Sequence, residues 1–390
     1  MKRKILFSAS LFHALNDAGT VTVPMIIPLL YSQQFIITKY FHIGILSNLG
    51  LLMTFFFQII IANVSHKFEY KHMLCLSIVG ISLSLFLITF SSIFVSLLFF
   101  YLFMRIFTSF YHSIGVAWVS KTHPDQGLDF AMGIQSGSGN LGVLIAFVSV
   151  GYLAQTFNWK TPLKIWAACI FFLGIISFLS VRKTSTKSKE TLKYNLSSWI
   201  KTIKTIKIYI LGFVFGGACW GTTVFYAPSL FNHKFHVPIG KTGIYLALWI
   251  CIGSIMPYLF GYLSQRFGRW KISLTGFIGS TIFLFALGTA HRIEVAQISL
   301  LLFGAFLFLI YPAFQSFVGN KVPYKNQAQA FSLVANIQML TGAIIVLVAG
   351  FLSDKFGINS PFILLGILGS IISIFYLVKH PPLNLKLSAS

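Results

Sequence analysis

Apolar residues in this chain occur in long unbroken blocks separated by short polar connections, not in strict alternation or on one face of amphipathic stretches. Windows of about 19 residues resolve twelve blocks: 5–30, 43–64, 71–90, 93–120, 128–153, 162–181, 206–231, 241–263, 271–290, 295–319, 326–352 and 360–379. Each is long enough to cross a hydrocarbon core of roughly 30 Å as an α-helix. The pattern predicts an all-α integral membrane protein with twelve transmembrane helices. Its longest polar interval, Arg182 to Lys207, holds eight basic residues and one acid, Glu190. The expected organisation is a six-helix bundle over 1–181, a basic linker over 182–205, and a second six-helix bundle over 206–390 ending in a short tail.

The two halves carry matching punctuation. A shift of 199 residues places Gly44 on Gly243, Ser65 on Ser264, Phe68 on Phe267, Pro124 on Pro323, Gly151 on Gly350, Phe157 on Phe356 and Pro162 on Pro361, with Lys67 on Arg266. Turn and loop residues agreeing at one offset indicate an internal duplication. Two six-helix repeats related by an axis along the membrane normal would be pseudo-symmetric.

Composition agrees with this reading, since 56% of residues are hydrophobic and 9% charged. The net charge of +22 would suggest nucleic acid in a soluble protein. Here the basic residues sit in loops and tails, so the charge reports topology and no nucleic-acid partner is expected. Alternate loops with their helix ends and both tails hold 21 of the 29 basic residues, the opposite loops and helix ends hold 7, and Arg105 alone lies deep within a span. Both termini are therefore expected on the cytoplasmic side. Met1-Lys2-Arg3-Lys4 imitates a signal peptide, but the following run is long, carries Asp17 and lacks a clear cleavage site, so it is expected to be retained as the first helix. Cys75, Cys169, Cys219 and Cys251 are far apart and within spans, which fits packing and neither a metal cluster nor a disulfide.

Candidate chemistry begins with Asp17, the only one of seven acidic residues deep in a span. An ionisable group at the bilayer centre costs about 2.5 kcal/mol or more, and usually faces a partner or a water-filled path. His13, Asn16, Asp17 and Thr20 share one stripe of the first helix, and Arg105, Thr108, Ser109 and His112 repeat the spacing on the fourth. Asp17 and Arg105 are expected to be coupled, with contact not required, and His112 is a second proton-relay candidate because imidazole titrates near neutral pH. Each has a structural alternative: a helix-packing hydrogen bond for Asp17, anchoring on backbone carbonyls for Arg105, and interhelical polar contacts for His13 and His112. On the fifth span Gln135, Ser138, Gly139 and Gly142 share a face; close packing explains the small residues, and Gln135 is also a candidate solute contact. The second half offers Trp220, Tyr226, Gln315 and Asn336 as further solute contacts, with Gln338 beside Asn336.

The end of the eighth span reads Gly261-Tyr-Leu-Ser-Gln-Arg266-Phe-Gly268-Arg269-Trp-Lys271, which resembles the Gly-x-x-x-Asp-Arg-x-Gly-Arg-x-Lys loop of the major facilitator superfamily, with Gln265 in place of the acid. The first-half counterpart, from Ala62 to Lys71, keeps Lys67 and less of the pattern. Glycines allow close approach there and basic groups favour helix C-termini, so Lys67, Gly261, Arg266, Gly268 and Arg269 are the expected gating-loop residues. His13-x-x-Asn16-Asp17 followed by Pro28-Leu-Leu, Phe110-Tyr111-His112-Ser113, and Gln135-Ser-Gly-Ser-Gly139-Asn140-Leu-Gly142 are similar to the fosmidomycin-resistance branch. The chain departs from that branch with Ser113 in place of a proline and Ala146-Phe147 in place of a Gly-Pro.

The resemblance implies the major facilitator fold, with the first and fourth helices lining a central cavity. It implies secondary active transport of a small organic solute by proton-coupled alternating access, with efflux as the first direction and an uptake symporter or facilitative uniporter as alternatives. A membrane receptor or assembly partner that lost transport is the alternative from another class. Asp17, Arg105 and His112 would couple protons, and His13, Asn16, Arg105 and Gln135 would meet the solute. The span 5 glycines lack the Gly-Lys-Ser/Thr of a phosphate loop, and no catalytic constellation stands out, so neither an enzyme nor a cofactor or metal is expected. The expected partners are a small-molecule solute, protons and the lipid bilayer, for a monomer in a bacterial inner membrane.

Overall fold

The computed structural model describes residues 2–33, 35–123, 128–181, 196–322 and 327–379. Pro124, Pro323, most of the basic linker (182–195) and the tail (380–390) lie outside them. The helices are α1 (Lys2–Ser32), α2 (Tyr40–Val64), α3 (Tyr70–Ile88), α4 (Phe94–Thr122), α5 (Leu128–Thr156), α6 (Lys160–Ser180), the short α7 (Leu196–Ile206), α8 (Ile210–Ser229), α9 (Ile239–Phe267), α10 (Arg269–Thr289), α11 (Ile293–Lys321), α12 (Gln327–Phe356) and α13 (Ser360–Val378). Among the described residues the fold is all-α, with twelve long helices corresponding to the twelve predicted spans.

Among the described residues, eleven helices are long and apolar enough to cross a membrane by length and composition alone. The remaining long helix is α1, whose apolar run is diluted by Ser8, Ser10, His13, Asn16, Asp17, Thr20 and Thr22 and by Pro24 and Pro28. Most of α1 is buried by protein, so its polar groups meet neighbouring helices.

Contacts divide the described chain into two compact units. One contains residues 1–192, 223–251 and 346–358; the other contains 193–222, 252–345 and 359–390. The first unit thus combines α1–α6 with the end of α8, the start of α9 and the end of α12. In it α1 packs against α5, α6 and α4, while α3 packs on α4 and α6 and α2 on α4. Polar and small residues join these helices, as expected where lipid supplies no hydrophobic drive for helix association. Ser8 and Ser177 exchange hydroxyl-to-carbonyl bonds at 3.0 Å each, and Ser82 donates to Ala167 O at 2.7 Å. In the second unit α10 packs on α11 and α13. Its interior is aromatic: Phe277 and Phe314 are 5.5 Å apart between centroids, and Tyr376 lies 5.2 Å from Phe277 and 5.6 Å from Phe314.

Gly268 (φ 85°) and Gly357 (φ 88°) follow α9 and α12 in the left-handed region that closes helices. That conformation at Gly268 accounts for a glycine at this point of the basic loop.

Candidate functional site

The polar stripes of α1 and α4 and the glycine face of α5 meet within the first unit. His13 Nδ1 lies 2.8 Å from the backbone carbonyl of Gln135, and its Nε2 lies 3.1 Å from Asp17 Oδ2 one turn along α1. His112 of α4 places Nε2 at 3.6 Å from Asp17 Oδ1, to which Asn16 Nδ2 donates at 2.9 Å. Thr20 donates to the Asp17 carbonyl at 2.7 Å. The His13 ring stacks on Tyr111 with centroids 4.3 Å apart, and the Gln135 side-chain amide reaches Tyr111 Oη at 2.9 Å and His13 Nδ1 at 3.0 Å.

This geometry places a proton. Were His13 Nε2 bare, its lone pair would face a carboxylate oxygen at 3.1 Å. The contact is attractive only with a proton between the two atoms, whichever atom holds it. On the other side of the ring Nδ1 faces both the Gln135 carbonyl, which accepts, and the Gln135 side-chain amide, which donates. His112, 38% exposed at its side chain while Asp17 is 20% exposed, is the more open end of the cluster.

Backbone packing makes room for this pair. A Cβ on Gly139 would lie 2.7 Å from His13 Cε1 and 2.8 Å from Asp17 Oδ2, and one on Gly142 would run into the Ala14 carbonyl. The small residues of α5 thus serve packing and the site together. One ligand atom from each of His13, Asp17 and His112 falls within 4.8 Å of the others, so these side chains could also converge on a divalent cation.

Arg105 stands one turn from Thr108 and Ser109 on the same α4 stripe, but it makes no ion pair with Asp17. Its Nε donates to Gly50 O at 3.3 Å, and a Cβ at Gly50 would lie 3.2 Å from Arg105 Cγ, so the glycine admits the side chain against α2. Arg105 is 8% exposed, and no carboxylate among the described residues pairs with it. The ion partners of Asp17 are the two histidines.

The second-half candidates are dispersed. Tyr226 belongs to the first unit, where its hydroxyl donates to Val346 O at 3.0 Å, away from the histidine cluster's partners. Trp220, Gln315 and Asn336 belong to the second unit. Trp220 meets Phe308 edge-on at 6.4 Å, Gln315 hydrogen-bonds Tyr311, and Asn336 Oδ1 is buried without a hydrogen-bond partner. In the loops, Lys67 is exposed, Arg266 lies over the Phe267 ring at 5.3 Å, Gly261 has open space around it, and Arg269 begins α10 directly after Gly268. Tyr111 is the residue the sequence reading missed, one aromatic among 42 Phe, 15 Tyr and 7 Trp, with only its place before His112 to mark it.

Residues 6–346 match the family model of the Major Facilitator Superfamily, and the chain belongs to that family. It is 21% identical over 170 residues to the nitrite extrusion protein of Bacillus subtilis (strain 168), covering 44% of this chain and 42% of that one. It is 24% identical over 174 residues to a nitrate/nitrite antiporter, so named as probable, of Thermus thermophilus, covering 41% and 39%. The chain thus spans less than half the length of these curated relatives. Among solved structures, a bacterial homologue of the human lysosomal transporter Spinster, inward-facing and unoccupied, matches with a TM-score of 0.83 at 14% identity, covering 97% of this chain and 96% of that one. A D-xylose–proton symporter matches with a TM-score of 0.76 at 14% identity, covering 95% and 96%. These likenesses establish the fold. The chain thus has the family and the fold of multi-pass membrane transporters.

Proposed function

We propose that this transporter couples proton movement to the passage of a small organic or inorganic solute, best suited to one bearing a single negative charge. The observation that carries the reading is the 3.1 Å contact between His13 Nε2 and Asp17 Oδ2, which is attractive only with a proton between the two atoms. A proton held between a buried imidazole and a partly buried carboxylate, with a second imidazole beside them, is the kind of element a proton gradient can bias between two states. Asp17 is the coupling acid, His13 shares its proton, and His112 passes the proton to and from the cavity. Arg105 supplies a buried cation with no carboxylate partner, suited to the anionic group of a solute. Asn16 and Gln135 orient the acid and the imidazole from the first unit, and Trp220, Gln315 and Asn336 are the solute contacts we assign to the second.

Alternating access would then be controlled at the cytoplasmic side by Lys67, Gly261, Arg266, Gly268 and Arg269, in a monomer of the bacterial inner membrane with both termini inside. Export is the first direction to test, with uptake by symport and uniport as its alternatives. The curated relatives are named for nitrite and nitrate, so monoanions head the panel. The first-helix motif, similar to the fosmidomycin-resistance branch, adds phosphonates.

The test is reconstitution into liposomes containing a pH-sensitive dye, with nitrate, nitrite, small carboxylates and a phosphonate antibiotic presented in turn. Proton movement that depends on one solute and disappears in Asp17→Asn is the expected result. Solute accumulation driven by a proton gradient in Asp17→Asn at the parent level would sink the coupling role. Silence of the folded parent across the panel would shift weight to uniport or to a receptor.

A further inference from the structure

The offset of 199 residues recurs as contact geometry at the end of the first unit remote from the N-terminus, here the outer end. Two helix starts are capped there by side chains from other helices. At α2, where Lys39 supplies no side-chain cap, the Tyr40 and Phe41 amides donate to Asp354 Oδ1 and Oδ2 at 2.7 and 3.0 Å. At α9, the Gly240 amide donates to Gln155 Oε1 at 2.9 Å. Tyr40 corresponds to Ile239, Phe41 to Gly240 and Asp354 to Gln155, all at 199 residues.

The helix crossings below the caps obey the same relation. A Cβ on Gly44 would lie 3.2 Å from Val346 O, and one on Gly243 would run into Phe147 O. A Cβ on Gly350 would lie 2.9 Å from Tyr40 O, and one on Gly151 would lie 2.7 Å from Ile239 O. Each glycine, carbonyl and cap of the α2–α12 seam thus has its counterpart in the α5–α9 seam. All of these residues lie in the first unit.

The seams are equivalent in position and unequal in chemistry. The α2–α12 seam has a carboxylate accepting two amides at a helix N-terminus, where negative charge is favoured. It also has the Tyr226 hydroxyl donating to Val346 O at 3.0 Å, and Tyr40 Oη 3.0 Å from His233 Nδ1, with His233 Nε2 reaching Pro28 O at 3.2 Å. The α5–α9 seam has a neutral amide accepting one donor, and the Met25 methyl 3.2 Å from where a Gly151 Cβ would stand and 3.4 Å from the Gly243 one.

We propose that Asp354 and Gln155 are positioning residues of the transport cycle, forming a paired but unequal outer latch in which the α5–α9 seam parts first and the α2–α12 seam holds until last. This goes beyond the proton and solute assignments and does not depend on them.

The test uses the full chain with Cys75, Cys169, Cys219 and Cys251 replaced by serine, in lipid nanodiscs, with spin labels at pseudo-equivalent exposed sites. One pair replaces Lys39 and Lys355 and reads the α2–α12 seam; the other replaces Thr156 and Pro238 and reads the α5–α9 seam. Double electron–electron resonance should show a larger separated population for Thr156/Pro238 than for Lys39/Lys355 in the parent. Asp354→Ala should raise the separated fraction at Lys39/Lys355 severalfold, and Asp354→Asn, which keeps one carbonyl acceptor, should restore part of the closure. Gln155→Glu should lower the separated fraction at Thr156/Pro238, and this arm stands even where Asp354→Ala fails to fold. Equal or greater separation at Lys39/Lys355 in the parent overturns the proposal, as does a folded set of variants whose distances match the parent.

Discussion

The stretch of α1 facing α5 and the stretch of α8 facing α12 occupy pseudo-equivalent positions, yet they carry opposite chemistry. In the first unit α1 brings the polar group, Asp17, and α5 brings the glycine, Gly139. At the same offset in the second unit α8 has Gly216 and α12 has Gln338, and a Cβ on Gly216 would lie 3.3 Å from Gln338 Nε2. His13 and Arg105 correspond to Gly212 and Gly304, and Gln135 to Val334. One frame thus holds an ionisable cluster in one copy and a neutral amide in the other. The duplication supplies the space on both sides, while the titrating groups of these stripes are confined to one side.

That contrast can be broken most severely at Asp17. Asp17→Asn should reduce proton-driven accumulation to the level of protein-free liposomes, whereas Gln338→Leu should leave a measurable gradient-driven rate; equal losses would mean that the two sides share the coupling. Next in size, Gly139→Ala forces a methyl into the His13–Asp17 contact, and overpacking of this kind costs about 1–3 kcal/mol. It should slow transport on the order of tenfold or more, while Gly216→Ala, which meets only the end of a flexible side chain, should stay close to the parent in the same flux assay. Arg105→Gln should raise the KM for a transported monoanion more than Arg105→Lys does; an unchanged KM in both would remove Arg105 from solute binding. The smallest effect is expected with added zinc: modest inhibition that weakens in His112→Gln would identify the three ligand atoms as its site, and inhibition identical in the variant would place the zinc elsewhere.

The membrane architecture was legible because a bilayer demands long apolar helices, and the short α7 and the enclosed α1 departed from that pattern for separate reasons. α7 falls in the basic linker region, where sequence hydropathy resolves no span. α1 is polar along one side because protein covers it. Asp17, His13 and His112 were legible as well, since polar side chains on one stripe of an apolar helix stand out. Which stripe faces which was not legible: periodicity orients a side chain about its own helix and says nothing of its neighbour. His13 is held against a backbone carbonyl of α5, and Arg105 turns to a backbone carbonyl of α2, neither of which has any signature in side-chain sequence. Asp354 and Gln155 escaped notice because both sit at exposed helix ends, where an acid or an amide is ordinary. The matching glycines at 44, 151, 243 and 350 were visible as punctuation, and their use as points of backbone approach became visible only in three dimensions.

After α8 the chain makes one π-helical turn, Leu230–Lys234, before continuing to α9. Such a turn is an α-helical turn carrying one surplus residue. Winding the same residues at the ordinary α-helical angle of roughly 100° per residue would swing His233 round the helix axis. His233 would leave the Pro28 carbonyl without any change in its own identity. The wide turn therefore acts as a register setting, and the direction in which this imidazole points is encoded by the winding of the backbone as much as by the histidine itself.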